Sequence, residues 1–241
     1  MMKEFLKSIL TRKPQEEVKK LDTRYGSRDL MQNWYDVDRY FKEESFTENK
    51  ELNILRPFFN NLQNKKDLVG VEVGMGNGLN SLNILNNLDI KKLYIIDRNS
   101  PPLPPGDKVL KDERVYFLQG DSLDCLSKIN EDLDFVYLDA SHEYEYVVKE
   151  IEISYDKIVI GGILGGHDYD QLGVCTAVQT FMINLWKHNK EQPSNFFTES
   201  CRDGHPGYPK EYLEYGFPID WWAIKEIEPG KDFKVNHLRN G

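Results

Sequence analysis

From Leu68 onward, short apolar runs alternate with segments whose apolar residues recur every three or four positions. The runs Leu68–Val73, Lys92–Ile96, Val115–Gln119, Leu133–Leu138, Lys157–Leu164, Phe196–Cys201 and Asp220–Ile227 predict strands. Between them, Asn80–Asn87, Ser122–Ile129, Tyr144–Ser154 and Val174–Lys187 carry helical spacing. Strand and helix in alternation predict an α/β domain with a mostly parallel seven-stranded sheet, helices on both faces and a hairpin at the end. The loop from Arg202 to Ile219, rich in Gly, Pro and Tyr, is longer than a connection needs and is expected to cover a substrate.

The first 62 residues follow a different pattern. Phe5, Leu6, Ile9 and Leu10 lie at helical spacing, Pro14 fits the start of a second helix, and Asn49 to Leu62 forms another candidate helix. The aromatic residues Trp34, Tyr35, Tyr40 and Phe41 suit packing better than a pocket. The expected organisation is a helical N-terminal extension over 1–62, with a surface for dimerisation, and one domain over 63–241 carrying a loop insertion at 202–219.

Charge and cysteine content narrow the partners. The 241 residues carry a formal net charge of −9, which argues against nucleic acid, whose phosphates are bound by clustered Lys and Arg. Three scattered cysteines fit neither a disulfide framework nor a zinc site, as expected of a cytoplasmic protein. No run is apolar for long enough to span a membrane, and the charged N-terminus lacks a signal-peptide core. A small molecule is the expected partner.

The chemistry gathers after the strands. Val71-Glu72-Val73-Gly74-Met75-Gly76-Asn77-Gly78 ends an apolar run on an acid and three alternating glycines, ahead of a helix start. Such a turn lets backbone approach a ligand closely and points peptide N–H groups at it. A dinucleotide fingerprint would require glycine where Leu79 stands. Asp97-Arg98 follows the second strand, where an acid can accept from ribose hydroxyls. Asp121-Ser122 follows the third, and Asp121 is either an acceptor for an adenine amino group or the N-cap of the next helix. The fourth strand delivers Asp139-Ala140-Ser141-His142-Glu143-Tyr144, and the fifth delivers Gly165-Gly166-His167-Asp168-Tyr169.

The pattern E-x-G-x-G-x-G at Glu72–Gly78 resembles motif I of class I S-adenosylmethionine-dependent methyltransferases. An aminopropyl transferase of the same fold resembles the chain less, because aspartate is typical where Asn77 stands. The segments D-x-S-H-x-Y and G-G-x-x-x-G-H-D-Y are similar to the methyltransferase type 24 family, related to catechol- and sugar-type O-methyltransferases. The similarity runs over about residues 66 to 187 and reaches Trp221-Trp222-Ala223-Ile224-Lys225. It implies a Rossmann-like class I methyltransferase fold. It also implies S-adenosylmethionine held by Glu72, Gly74, Met75, Gly76, Asn77, Gly78, Asp97, Arg98, Asp121, Ser122 and Asp139.

In metal-dependent relatives, the Asp139 position and an acidic or amide pair at 167–168 hold a divalent ion. The resemblance therefore offers Asp139, His167 and Asp168 as ligands of Mg²⁺ or a similar ion, although imidazole suits softer metals than Mg²⁺. Without a metal, His142 or His167 is the candidate base beside Asp168, since imidazole titrates near neutrality. For His142 the alternative is a helix-start residue bonded to Asp139. The expected activity is methyl transfer to a small polar acceptor, a hydroxyl first. N-methylation and a catalytically silent cofactor-binding module are the alternatives.

Overall fold

The computed structural model describes residues 59, 61–99, 106–189, 196–200, 219–226, 228 and 233–235. All lie within one unit of the chain, Glu51–Gly241. The N-terminal segments up to residue 58, the aromatic residues singled out above, the dimerisation surface and the loop at 202–218 fall outside the described residues.

Seven strands form one sheet: β1 (Leu68–Val73), β2 (Ile90–Asp97), β3 (Val115–Gln119), β4 (Leu133–Leu138), β5 (Ile158–Gly166), β6 (Phe196–Ser200) and β7 (Ile219–Ile224). Their order is β3-β2-β1-β4-β5-β7-β6. The first five run parallel, and β7 is antiparallel to both neighbours. Helices α1 (Leu79–Asn87), α3 (Ser122–Lys128), α4 (Tyr144–Lys157) and α5 (Leu172–Asn189) connect them, with the short α2 (Gly106–Val109) before β3. The periodicity anticipates every element except α2, whose four residues are too few to show one.

The strands are apolar on both sides because both faces are covered. On β4, Phe135 and Tyr137 pack with Ile84 and Leu85 of α1. Leu133, Val136 and Leu138 pack with Leu126, Val148, Ile151 and Phe181 on the other face. Trp221 and Trp222 repeat the alternation, one in each cluster. Phe59 and Leu62, both fully buried, close the α1 face. Fully burying a side chain such as Phe135 contributes about 2–3 kcal/mol.

Among the described residues, the buried cation is Lys225. Lys225, fully buried, donates to the carbonyls of Tyr155 (3.0 Å) and Ile158 (2.7 Å) where α4 ends, and pairs with Glu228 (2.9 Å). A cation satisfies the last carbonyls of a helix and its dipole together. α4 is thereby fixed at one end, and its other end enters the site.

Candidate active site

Register brings the strand ends to one level. Val73 pairs with Ile96 and Leu138, Leu138 with Gly166, and Gly166 with Trp221. The next residues along are Gly74, Asp97, Asp139 and His167, while Asp220 meets them from the opposite direction because β7 is antiparallel. Ligands of open α/β sheets bind at this edge, where the strand order reverses between β1 and β4.

The β1–β3 side is built largely from backbone. Gly74 has φ +89°, and a Cβ there would stand 2.0 Å from the Asp139 carbonyl oxygen. Gly76 has φ +54°, with nothing among the described residues within 4 Å of an added Cβ. One glycine seals the strand ends together, and the other leaves space for a ligand. Asp97 folds the turn between them. Its Oδ2 accepts from the N–H groups of Met75 (2.9 Å) and Gly76 (3.3 Å), and its Oδ1 from that of Asn99 (2.9 Å). A carboxylate has about four acceptor sites, so Asp97 retains capacity for ribose hydroxyls.

Glu72 is buried under the turn. It accepts from Asn80 Nδ2 (2.9 Å) and from the Ser81 hydroxyl, which ties β1 to the start of α1. Asn77 Oδ1 accepts from the Leu79 N–H (3.1 Å) as that helix begins. Asp121 is the N-cap of α3: its Oδ1 accepts from the N–H groups of Leu123 (3.0 Å) and Asp124 (3.4 Å). Its Oδ2 accepts from the Tyr146 hydroxyl and lies 3.5 Å from Arg98 Nη2. The Arg98 guanidinium also lies over the Tyr146 ring, 5.8 Å from its centre. One turn further along α4, Glu150 accepts from the Ser122 hydroxyl. Tyr146 and Glu150, four residues apart on one helix face, thus hold the start of α3.

The β4–β7 side is built from titratable side chains. Leu138, Asp139, Ser141, His142, Val147, Glu150, His167, Asp168, Val174 and Trp221 line a cleft there. His142 Nε2 lies 2.7 Å from Asp168 Oδ2, with His142 about half exposed and Asp168 nearly buried. The Asp168 carboxylate holds His142 above its ordinary 6.5, against a smaller opposing effect of burial. Asp168 itself takes a left-handed backbone, φ +58°, which aspartate tolerates better than most residues. His167 Nδ1 lies 2.6 Å from Asp220 Oδ1, and the Tyr137 hydroxyl donates to the same oxygen (3.1 Å). Burial pushes Glu150 from 4.5 up to about 7.

Two expectations change here. His142 is held by Asp168, not by Asp139, because the loop after β4 turns toward β5. Gly173, at the start of α5, supports that turn: a Cβ on it would lie 2.0 Å from the His142 carbonyl oxygen. The metal set Asp139, His167 and Asp168 does not come together. Consecutive side chains at the end of β5 diverge, one to Asp220 and the other to His142. Among the described residues, no group of three or more His, Cys, Asp or Glu side chains is placed to hold a metal ion.

Asp220, Glu150, Tyr137 and Tyr146 are site residues that the strand-end reading missed. Glu150 interrupts the buried positions Val147, Val148 and Ile151 of α4, and that interruption is its signal in the sequence. Asp220 opens an antiparallel strand, so the end of that strand at the active edge is its first residue rather than its last.

The family model described as "Methyltransferase domain", of type 24, matches residues 71–169, from β1 to just past the His167-Asp168 pair. No curated protein matches in sequence. Among solved structures, an rRNA methylase from Streptococcus thermophilus aligns at 18% identity and TM-score 0.51, covering 70% of this chain and 93% of that one. One described as a putative rRNA methylase from Clostridium thermocellum aligns at 16% identity and TM-score 0.50, covering 68% and 89%. Spermidine synthase from Thermotoga maritima aligns at 14% identity and TM-score 0.51, covering 78% and 65%. At such identities these likenesses establish the fold. No helix among the described residues is long and apolar enough to cross a membrane. Residues 71–169 thus resemble the methyltransferase type 24 family, and the chain carries the class I methyltransferase fold.

Proposed function

We propose that this enzyme methylates a hydroxyl of a small polar acceptor bound in the cleft between His142 and His167. The observation that carries this reading is the His142–Asp168 pair, 2.7 Å apart at the same strand-end edge as the glycine turn. The residues at that turn suit the methyl donor: Gly76 opens onto space, and Asp97 presents a carboxylate already oriented by the turn's own N–H groups. Arg98, Asp121 and Ser122 continue the groove toward the adenine end. Bound there, S-adenosylmethionine supplies an electrophilic methyl group.

The chain's own contribution is to orient the acceptor and remove its proton. With Nε2–H donated to Asp168, the neutral His142 ring carries its lone pair on Nδ1. Asp168 fixes that tautomer and stabilises the imidazolium that forms, so the hydroxyl proton passes to Nδ1 as the oxygen attacks. A metal route would require His167 and Asp168 to leave Asp220 and His142, so the pairing favours imidazole as the base. The formal charge of −9, and the lack of any Lys or Arg among the described residues that line the cleft, favour a small molecule over nucleic acid.

Calorimetry with S-adenosylhomocysteine and with NAD tests the donor, and His142→Gln tests the base. S-adenosylhomocysteine is expected to bind and NAD not to. The variant should keep that affinity within about twofold while turnover falls on the order of 10²–10⁴-fold. Binding of NAD alone would overturn the donor assignment. Undiminished turnover in the variant would overturn the base.

A further inference from the structure

His167 is held from one face of the sheet and serves the other. The apolar residues of the cleft, Leu138, Val147, Val174 and Trp221, all pack on the α4–α5 side, and His167 lines the cleft with them. The residues bonded through its Nδ1 belong to the opposite face. Tyr137 packs with α1, and Asp220 points to the same side of β7 as Trp222, which packs there too. Asp220 is not among the described residues that line the cleft.

Three strands meet at one oxygen. Gly166 pairs with Trp221 in the antiparallel β5–β7 contact, which sets His167 beside Asp220. Asp220 Oδ1 lies 2.6 Å from His167 Nδ1 and accepts from the Tyr137 hydroxyl at 3.1 Å. Asp220 is 1% exposed and Tyr137 fully buried, so water does not compete for these bonds. An ionised carboxylate only accepts, which places the hydrogen between Oδ1 and Nδ1 on the ring. Imidazole is also the stronger base of the two groups. The nitrogen left to the cleft side of the ring is Nε2.

Resting on the methyltransferase reading, we propose that Asp220 is a positioning residue for the reaction, holding His167 with Nδ1 protonated and Nε2 turned into the cleft to orient the acceptor. His142 is held the opposite way, through Nε2, by Asp168. The two rings therefore meet the acceptor through different nitrogens. Methyl transfer to a hydroxyl releases one proton, and Nδ1 of His142 takes it. The second ring is then available for orientation, with Nε2 of the neutral imidazole accepting a hydrogen bond from the bound molecule. A bond that only fastened β7 to β5 would not depend on which ring nitrogen carries the proton. Positioning does depend on it.

Nitrogen-15 NMR of the full chain saturated with S-adenosylhomocysteine, in spectra that separate protonated from bare ring nitrogens, tests this. His167 should be protonated on Nδ1. Asp220→Asn, whose amide can donate to Nδ1, should leave that nitrogen bare and move the proton to Nε2. Transfer of labelled methyl from S-adenosylmethionine into a protein-free extract of the source cells should fall by about tenfold or more in the variant. S-adenosylhomocysteine affinity should hold within about twofold, since Asp220 makes none of the glycine turn's bonds. If Asp220→Asn does not fold, the ring-nitrogen assignment in the unsubstituted protein decides alone. A bare Nδ1 on His167 in the unsubstituted protein, unchanged His167 nitrogens in the variant, or undiminished transfer by the variant would each overturn the inference. Failure of the unsubstituted protein to bind S-adenosylhomocysteine, or to methylate any small molecule of the extract, would instead overturn the reading on which it rests.

Discussion

The β1–β3 edge and the β4–β7 edge share one sheet and one level, yet they are made differently. At the first, carboxylates serve the backbone: Asp97 binds the glycine turn, Asp121 caps α3, and Glu72 holds α1. At the second, carboxylates serve imidazoles, as Asp168 does for His142 and Asp220 for His167. A turn that must fit one invariant donor gains from fixed backbone geometry, which side-chain motion does not disturb. A cleft that must accept a proton gains from groups whose charge can change. On the proposed function, the difference is a division of labour, with shape set on one side and proton chemistry on the other.

The largest break in this comparison comes at the residue where the two edges touch. Gly74→Val would place side-chain atoms against the Asp139 carbonyl and impose a bulky residue on a positive φ. Both edges should fail together. S-adenosylhomocysteine affinity should fall more than about 100-fold and stability by several kcal/mol, measured by calorimetry and thermal melting. Retained affinity would show that the turn reshapes freely and is not the rigid half.

Asp168→Asn should affect the proton-handling edge alone. The carboxylate of Asp168 raises His142, so the amide should let it fall back, and NMR titration of the His142 ring should move to lower pH. The sign for stability follows from the same shift. The native protein binds the His142 proton more tightly than the unfolded chain. The stabilisation is therefore fully present below the ordinary 6.5 and is lost as pH rises through the raised native value. Asp168→Asn should flatten that loss. S-adenosylhomocysteine affinity should stay within about twofold, since Asp168 makes none of the turn's bonds. An unmoved His142 titration would remove Asp168 from its role.

Glu150 gives a second pH signature. Its native proton affinity is raised from 4.5 to about 7, so the stabilisation it gives is complete below about pH 4.5 and is lost as pH rises to about 7. The charged groups acting on it are Asp121, which opposes ionisation, and Arg98, which favours it, while the Ser122 hydroxyl also favours the charged form. A shift of that size corresponds to about 3 kcal/mol at most across the window. Denaturant unfolding of the unsubstituted protein from pH 5 to 7.5 should show the decline, and Glu150→Gln should show less of it. Parallel profiles would mean that Glu150 ionises without cost.

How much of this was legible in the sequence differs between the two edges for a physical reason. The bonds that shape the turn span at most 22 residues, from Asp97 back to Met75, and each begins at a strand end that hydrophobic patterning already locates. Asp97, Asp121 and the glycines could therefore be placed from spacing. The pair His167–Asp220 spans 53 residues and forms only because β7 inserts antiparallel beside β5. Sequence places His167 and Asp168 side by side, which suggests one shared ligand. Their backbone directs them apart, and Asp168's left-handed φ is a feature that spacing does not show. Glu150 was hidden by its setting on a helix, where an acid reads as surface until the burial of its neighbours is known.

The smallest expected effect tests whether the backbone-built edge depends on side chains at all. Tyr146 donates its hydroxyl to Asp121 Oδ2, while Asp121 Oδ1 caps α3 independently. Tyr146→Phe removes one hydrogen bond and leaves both the cap and the ring beneath Arg98. If Asp121 only caps the helix, the variant should lose about 1 kcal/mol of stability and keep its S-adenosylhomocysteine affinity. If Asp121 Oδ2 also faces the adenine, freeing that oxygen from Tyr146 changes affinity by a few-fold in calorimetry without moving the α3 cap. Asp121→Asn separates the two further, because its amide oxygen can still cap α3 while the group at Oδ2 becomes a donor. An affinity change in both variants with little loss of stability would assign Asp121 to the ligand. Stability loss alone would leave it to the helix, and the first edge would be shaped by backbone throughout.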